Sequence, residues 1–202
     1  AKTKEWLASG EPTIYEATFE FDDILVMVDI LTKVKNGWEF YEVKSAAKVY
    51  KNKSTKVKDV YINDVAIQYY VLKGSGLDIS SAFLVHINNQ YVRQGPLEVD
   101  NLFSFADLTE EVVDNQIEVN GQLEVMRDVL CRDEPKIKIG VHCNKPYECD
   151  FKSHCWPDEI LNSYSVFDIS GLISSKKFEL YESGVTKVED VPETFPLPDN
   201  QR

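Results

Sequence analysis

No long hydrophobic run is present in this chain. Over its 202 residues no apolar stretch approaches the roughly 18 residues that a membrane-crossing helix requires, so no helical membrane span is expected. No basic segment followed by an apolar one opens the chain, so no secretory leader is read, and a cytoplasmic location is expected. There is no internal repeat and no low-complexity tract. Positive charge is short: 22 Lys and Arg stand against 34 Asp and Glu, a net charge of −12. That balance works against non-specific nucleic-acid binding by the surface as a whole. Cysteine is scarce too, and its four copies all lie between positions 131 and 155.

What is there is an ordinary soluble composition, 43% hydrophobic and 28% charged, which calls for a real core. The length suits one domain, or one domain with an appendage. The first residues, AKTKEWLASGEPTIYE, and the last, PLPDNQR, do not resemble natural termini, so an excised domain is expected.

The stretch Asp29–Lys44 organises the reading. Asn36-Gly37 between two apolar runs predicts a two-residue hairpin turn. In that register Leu31 faces Glu42 and Asp29 faces Lys44. Period-two alternation then puts Asp29, Glu42 and Lys44 on one face, with Leu25, Met27, Leu31, Trp38 and Phe40. Ile24, Val26, Val28, Ile30, Tyr41 and Val43 fall on the other. A sheet apolar on both faces is expected to be covered on both. Two carboxylates and an ammonium there are costly unless paired or bound to metal. Two readings stand: a buried Asp29–Lys44 ion pair with Glu42 at the sheet end, or a metal site.

In chain order, residues 1–11 read as the tail of a helix or a linker. Thr13–Phe21 alternates as a strand, and Asp22-Asp23 forms a second tight turn, so residues 13–45 make an antiparallel meander. Glu16 on the first strand is either a third acid at the site or an exposed strand residue. Residues 46–58 form a loop that, with Lys44, carries Lys48, Lys51, Lys53, Lys56 and Lys58. It is either a basic patch serving the hairpin or a solvated loop. Asp59–Lys73 has the helical period and is stopped by Gly74-Ser75-Gly76. Ile79–Ile87 is a buried strand, Asn88-Asn89 a turn, and Leu102–Leu108 another strand, which together predict a mixed sheet with a crossover helix. Thr109-Glu110-Glu111 caps the longest helix, with Val112, Val113, Gln116, Ile117, Asn120, Leu123, Met126, Val129 and Leu130 on its period, and Asp133-Glu134-Pro135 ends it. Gly171–Ser183 is one more helix, followed by a Pro-rich tail. The fold class is α/β in the mixed, α+β sense. The predicted domains are a core over 1–130 and a cysteine-rich, helical segment over 131–202.

Cys131, Cys143, Cys149 and Cys155 cluster in a chain without a leader, which favours a metal or cluster site over disulfides. Thiolate ligation suits zinc or iron–sulfur, and the spacing alone leaves both open. Pro146, Tyr147, Phe151 and Trp156 would shield such a centre. His142 and His154 are alternative ligands. The plain alternative is four reduced thiols. His86 reads as a core or strand-end histidine, and Arg93 as a single exposed arginine able to meet a phosphate.

The segments VDIL around Asp29, WEFYEVKS around Glu42 and Lys44, NDVAIQYYVL around Gln68, LVHINNQYVRQG and VHCNKPYECDFKSHCW together resemble the PD-(D/E)XK nuclease superfamily. The likeness is to its RecB-like iron–sulfur branch, which includes the CRISPR-associated RecB-like exonucleases. More narrowly the chain is similar to an uncharacterised bacterial domain family whose larger members often carry a ribonuclease-H-like exonuclease module. The resemblance implies a restriction-endonuclease-like core. It implies that Asp29, Glu42 and the Val43 carbonyl bind Mg²⁺ or Mn²⁺, that Lys44 steadies the attacking water or the developing charge, and that Gln68 orients that water or the DNA. The branch motif Q-x-x-x-Y is broken, since Leu72 stands four after Gln68, which leaves Tyr70 as a candidate for the tyrosine. Cys143, Cys149 and Cys155 match the branch's C-terminal cluster triplet. The fourth ligand, and a further histidine or acid for the first metal, would lie upstream of residue 1, with Cys131 as the spare thiol. A [4Fe–4S] cluster is then expected in a longer protein, and weakly or not at all here, where zinc or no metal could take its place. The implied function is metal-dependent hydrolysis of DNA, on single strands or ends, within a larger chain whose further domains are partners. The alternative is a non-catalytic nucleic-acid-binding or protein-interaction domain stabilised by a cysteine-bound metal.

Overall fold

The computed structural model describes residues 2–52, 54–145 and 147–197. Lys53 of the lysine loop, Pro146 of the cysteine segment and the last part of the Pro-rich tail lie outside the described residues. The chain divides into two compact units, Ala1–Cys131 and Arg132–Arg202.

The first unit is a mixed α+β fold. In order it runs α1 (Lys2–Ser9), β1 (Thr13–Phe21), β2 (Ile24–Val34), β3 (Gly37–Lys44), α2 (Asp59–Gly74), β4 (Ile79–Ile87), α3 (Val99–Leu102), β5 (Phe103–Asp107), α4 (Thr109–Asp114) and α5 (Gln116–Leu130). The strands lie in sequence order in one sheet. β1, β2 and β3 form an antiparallel meander, α2 crosses over so that β4 runs parallel to β3, and β5 returns antiparallel to β4. One face of the sheet packs on α2 and α4 through Ile14, Ala17, Val28, Leu31, Phe40, Ala82 and Leu84, all buried, against Val65, Val71, Leu72 and Val112. The α2 stop is tight: a Cβ on Gly74 would meet the Phe21 ring at 2.1 Å, so only glycine ends the helix there.

Three expectations about this unit need correction. The hairpin register differs by two: Val34 faces Gly37 and Leu31 faces Phe40, so Lys35 and Asn36 are the loop residues. Gly37 sits at φ 120, and an added Cβ would lie 2.2 Å from the Asp78 carbonyl oxygen, so only glycine fits there. A slip of two keeps every side chain on its face, but it moves Asp29 from opposite Lys44 to the level of Glu42.

The second correction concerns the faces of β2. Val26, Val28 and Leu31 are all buried, whereas Leu25 and Met27 are 68% and 58% exposed. The alternation changes phase between Val28 and Leu31. Across from that point Glu16 adopts φ 52 and, opposite Asp29, drops out of the β1–β2 pairing while the register on either side of it is unchanged. Leu25, Met27, Tyr15 and Phe105 therefore stand open to solvent on the outer face, and the sheet is not covered on both sides.

The third concerns the long helix, which is two helices meeting at Asn115. The Gln116 amide donates to the Ala66 carbonyl, and the Asn115 amide to the Asn63 side chain, both on α2. These ties hold the joint, and Ile117, Met126, Val129 and Leu130 are left exposed rather than in the core. Thr109 caps nothing with its hydroxyl. That hydroxyl donates to Asp107, whose carboxylate also accepts the Thr109 N–H at 2.9 Å. In contrast, Asp22 and Asp23 form the expected tight turn, with φ of 57 and 61, the pair of left-handed residues that a type I′ hairpin uses.

The second unit is helical: α6 (Lys152–Cys155), α7 (Asp158–Leu161) and α8 (Ser174–Glu182), with short 3₁₀ turns between. Its packing rests on Ile139, Cys143, Trp156, Ile160 and Phe178, and on Val166, Ile169, Leu172 and Leu180. No helix among the described residues is long and apolar enough to cross a membrane.

Candidate metal centre

β2 and β3 stay paired only as far as Ile30 and Tyr41. Beyond that point β3 continues against β4 alone. The gap is filled by a side chain: the Asp29 Oδ2 accepts the Val43 N–H at 2.6 Å. A carboxylate thus takes the place of a ladder carbonyl where two strands part.

The Glu42 carboxylate is 7% exposed and is held at both oxygens, by Lys44 Nζ at 2.6 Å and by Gln68 Nε2 at 2.7 Å. Burial pushes the Glu42 carboxyl above the ordinary range; the Gln68 and Lys44 hydrogen bonds pull it back in part, and the Asp29 charge pushes it up again. Burial alone would lower Lys44, but hydrogen bonds and charge from Asp64 and Glu42 more than offset this and hold its ammonium above the usual lysine value. Lys44 is therefore a fixed cation, 2.6 Å from each of two carboxylates. The cross-strand Asp29–Lys44 pair is not the arrangement found.

Asp64 is the residue that sequence reasoning missed. It lies on α2 four residues before Gln68, and that spacing puts both side chains on one helix face. The signal was present in NDVAIQ, and the reading attended to the glutamine alone.

Gln68 is buried, and its Oε1 has no hydrogen-bond partner. Its amide orientation is settled chemically, because a carboxylate can only accept and the NH₂ must face Glu42. A buried acceptor left unpaired is costly, and an ordered water at this position would satisfy it. Tyr70 points elsewhere: its hydroxyl donates to Asp22 at 2.6 Å, and Arg127 pairs with the same carboxylate. These contacts tie the first hairpin turn to α2 and α5, and they lower the Asp22 carboxyl, with the Tyr70 hydrogen bond as the main cause. Glu16 is exposed on β1.

Among the described residues, no group of three or more His, Cys, Asp or Glu side chains is placed to hold a metal ion. The sheet site brings together the two carboxylates of Asp29 and Glu42. A hard cation that keeps several waters is commonly held by one or two carboxylates, and the unpartnered Gln68 oxygen is where a water would be received. The donor set fits Mg²⁺ or Mn²⁺.

The cysteine segment is less assembled. Cys143 is buried, and its thiol accepts the Gly140 N–H at 3.5 Å; Cys149 and Cys155 are exposed, though the Cys149 N–H binds the Cys143 carbonyl at 2.9 Å. Cys131 is exposed at the end of α5, in the first unit. Tyr147 and Phe151 are 72% and 69% exposed, so of the expected shielding residues that are described only Trp156 is buried. The Trp156 Nε1 lacks a partner. His154 pairs with Glu134 at 2.6 Å. Three thiols lie in one unit, but they do not form a ligand set as they stand.

No family model matches the sequence, and no curated protein matches it either. Among solved structures, "Crystal structure of SSO0001" overlaps with a TM-score of 0.28 at 10% identity, over 57% of this chain and 55% of that one. The chain thus spans about half the length of that relative. A likeness this slight carries no argument about fold or function.

Proposed function

We propose that the first unit is a metal-dependent nuclease domain of the restriction-endonuclease-like kind, acting on DNA single strands or ends. The observation that carries the reading is the buried Glu42, clasped by Lys44 and Gln68 beside Asp29, with one Gln68 oxygen left for a water. A scaffold gains little from two carboxylates, an ammonium and an unpaired amide oxygen on the core side of a sheet; removing such a group of charges for apolar residues is often neutral or stabilising.

Asp29, Glu42 and the Val43 carbonyl would hold Mg²⁺ or Mn²⁺. Such an ion supplies Lewis-acid stabilisation of a phosphoryl group and acidifies a bound water. The chain's own residues do the rest. The Gln68 Oε1 accepts from the attacking water and fixes its direction. Lys44, kept protonated by Asp64 and Glu42, presents a fixed positive charge to the oxygen on which negative charge develops. Asp64 positions Lys44 and touches no substrate. Cys143, Cys149 and Cys155 are proposed as ligands of an iron–sulfur or zinc centre, supported by three thiols in one small unit with no disulfide among the cysteines.

The test is cleavage of labelled single-stranded DNA in the presence of Mn²⁺. Wild type should cleave, and Asp29→Ala and Lys44→Ala should lower the rate by about 10²–10³-fold or more with unchanged circular dichroism. Equal rates in all three would refute the reading.

A further inference from the structure

The lysine loop is built, and it walls a cavity beside the centre just described. From Lys44 to Lys58 the sequence holds six lysines and no acid, in a chain whose net charge is −12. Its backbone is ordered, while the Lys48, Lys51 and Lys56 side chains are exposed. Tyr50 and Val57 form a β-bridge, the Lys51 N–H binds the Lys56 carbonyl at 2.8 Å, and the Lys58 N–H binds the Val49 carbonyl at 2.9 Å. Val49 and Val57 are buried in the main core. The Lys58 ammonium folds back onto the Lys48 carbonyl. The backbone is thus fixed before any ligand arrives.

Between this loop and the ends of β4 and β5 lies a cavity of about 420 Å³, lined by Lys48, Tyr50, Lys51, Lys58, His86 and Ser104, among others. His86 is 5% exposed, with its Nε2 facing the Tyr50 hydroxyl at 3.4 Å and its Nδ1 against the Ile87 carbonyl at 3.1 Å. The register places His86 directly beside Lys44 on the neighbouring parallel strand. Side chains level with each other on adjacent strands share a face. The cavity therefore opens one strand away from Lys44, on the side of the sheet that carries Glu42.

We infer that this cavity seats a backbone phosphate of the nucleic-acid strand, next to the phosphate presented to Asp29, Glu42 and Lys44. The inference rests on the nuclease reading for its choice of substrate. Lys48 and Lys51 give the charge, Lys51 while also paired with Asp59 at 2.7 Å, and the Tyr50 and Ser104 hydroxyls give directed hydrogen bonds, with His86 buried behind Tyr50. A volume in the range of small-ligand sites leaves room for the attached sugar. Phosphate contacts of this kind set register and carry no sequence information, so the site should be indifferent to base. It also accounts for how so acidic a chain could hold a polyanion, by confining its positive charge to the stretch the strand must cross.

The test compares two charge removals on the full chain. Lys48→Ala with Lys51→Ala strips the cavity; Lys33→Ala with Lys35→Ala strips the same charge from the far end of the β2–β3 hairpin. Binding of a single-stranded oligonucleotide is measured without divalent metal, across a salt series. The cavity variant should bind about 10-fold more weakly, with a salt slope smaller by about 1–2, and KM for cleavage should rise while kcat holds. The hairpin variant should match wild type. Equal losses in both variants, or no binding by wild type, would overturn the inference. A second arm follows the His86 imidazole by NMR. Saturating shifts with inorganic phosphate and none with the oligonucleotide would reassign the cavity to a free anion and overturn it as well. Metal-dependent cleavage that is lost in Asp29→Ala, alongside unchanged binding and KM in the cavity variant, would remove the cavity and leave the nuclease reading. Binding that depends on the cavity, without any cleavage, would do the reverse.

Discussion

The two units hold their chemistry in different states of readiness. In the first, Glu42, Lys44, Asp64 and Gln68 are linked by contacts of 2.6–2.7 Å, and Asp29 beside them accepts the Val43 N–H at 2.6 Å. In the second, one thiol is buried, two are exposed, and no ligand group is formed among the described residues. The contrast follows from what surrounds each set. The carboxylates and Lys44 sit on strands and a helix whose positions are fixed by a large apolar core, so the polar groups are ordered by packing. The cysteines lie on short turns and one-turn helices around a small cluster. Segments of that kind typically gain order from the ion they bind. The sheet site is preorganised by the fold, whereas the cysteine site would be organised by its metal.

The largest expected break in this comparison comes from Glu42→Gln. Relative to the unfolded chain, burial raises the Glu42 pKa and so penalises its charged form. Its contribution to stability is therefore fully present below the ordinary glutamate range and is lost as pH rises toward the shifted value. A permanently neutral glutamine keeps the shape and can still accept from Gln68. Cleavage should fall by about 10²-fold or more, while the melting temperature at neutral pH stays level or rises. A lower melting temperature together with retained cleavage would mean that Glu42 is structural. The same shift predicts that apparent Mn²⁺ affinity climbs with pH over a window starting above the ordinary glutamate value, because the metal must displace the proton. Affinity independent of pH between about 5 and 7 would count against Glu42 as a ligand.

Asp64→Asn sharpens the difference between touching the substrate and positioning a group that does. It should leave KM near wild type and lower kcat by less than Lys44→Ala does. It should also bring the alkaline limb of the rate profile down in pH, since Lys44 loses one of the two partners that hold it above the usual lysine value. An unchanged pH profile would make Asp64 a bystander.

In the second unit the thiols should respond unequally. Without metal, Cys143→Ser buries a hydroxyl in an apolar cluster and should cost about 1–3 kcal/mol, read as a drop in the melting temperature of that unit. The exposed Cys149→Ser and Cys155→Ser should cost little. Equal losses for all three would show that the thiols are packed together before any metal arrives and that the readiness of the two units is alike. The smallest effect is expected from Tyr70→Phe. Its hydroxyl serves Asp22 and not the centre, so cleavage should stay within about twofold of wild type.

On β3 strand parity held, so Glu42 and Lys44 were legible as one face, and a two-residue slip leaves that placement standing; on β2 the alternation breaks at Asp29, whose place beside Val43 was not legible from parity. The slip itself was hidden, since Asn36-Gly37 satisfies the turn rule and the close neighbour of Gly37 is Asp78, distant in sequence. The phase change at Glu16 was hidden as well, since glutamate carries no preference for the positive φ it adopts there. Asn115 interrupts a helical period that the sequence continues, because its partner Asn63 is visible only in three dimensions. Asp64 was legible and was overlooked. The cysteine triplet was legible as a motif but not as a geometry, since no regular element fixes the spacing between its members.

The central claim is that Asp29 and Glu42 hold a divalent cation in a site the fold has already prepared. Direct titration of the full chain with Mn²⁺, followed by electron paramagnetic resonance of the free ion, tests it without depending on substrate or turnover. Wild type should take up Mn²⁺ saturably, and Asp29→Asn with Glu42→Gln should abolish that uptake while the circular dichroism of the chain is unchanged. Uptake by the double variant equal to that of wild type would contradict the account.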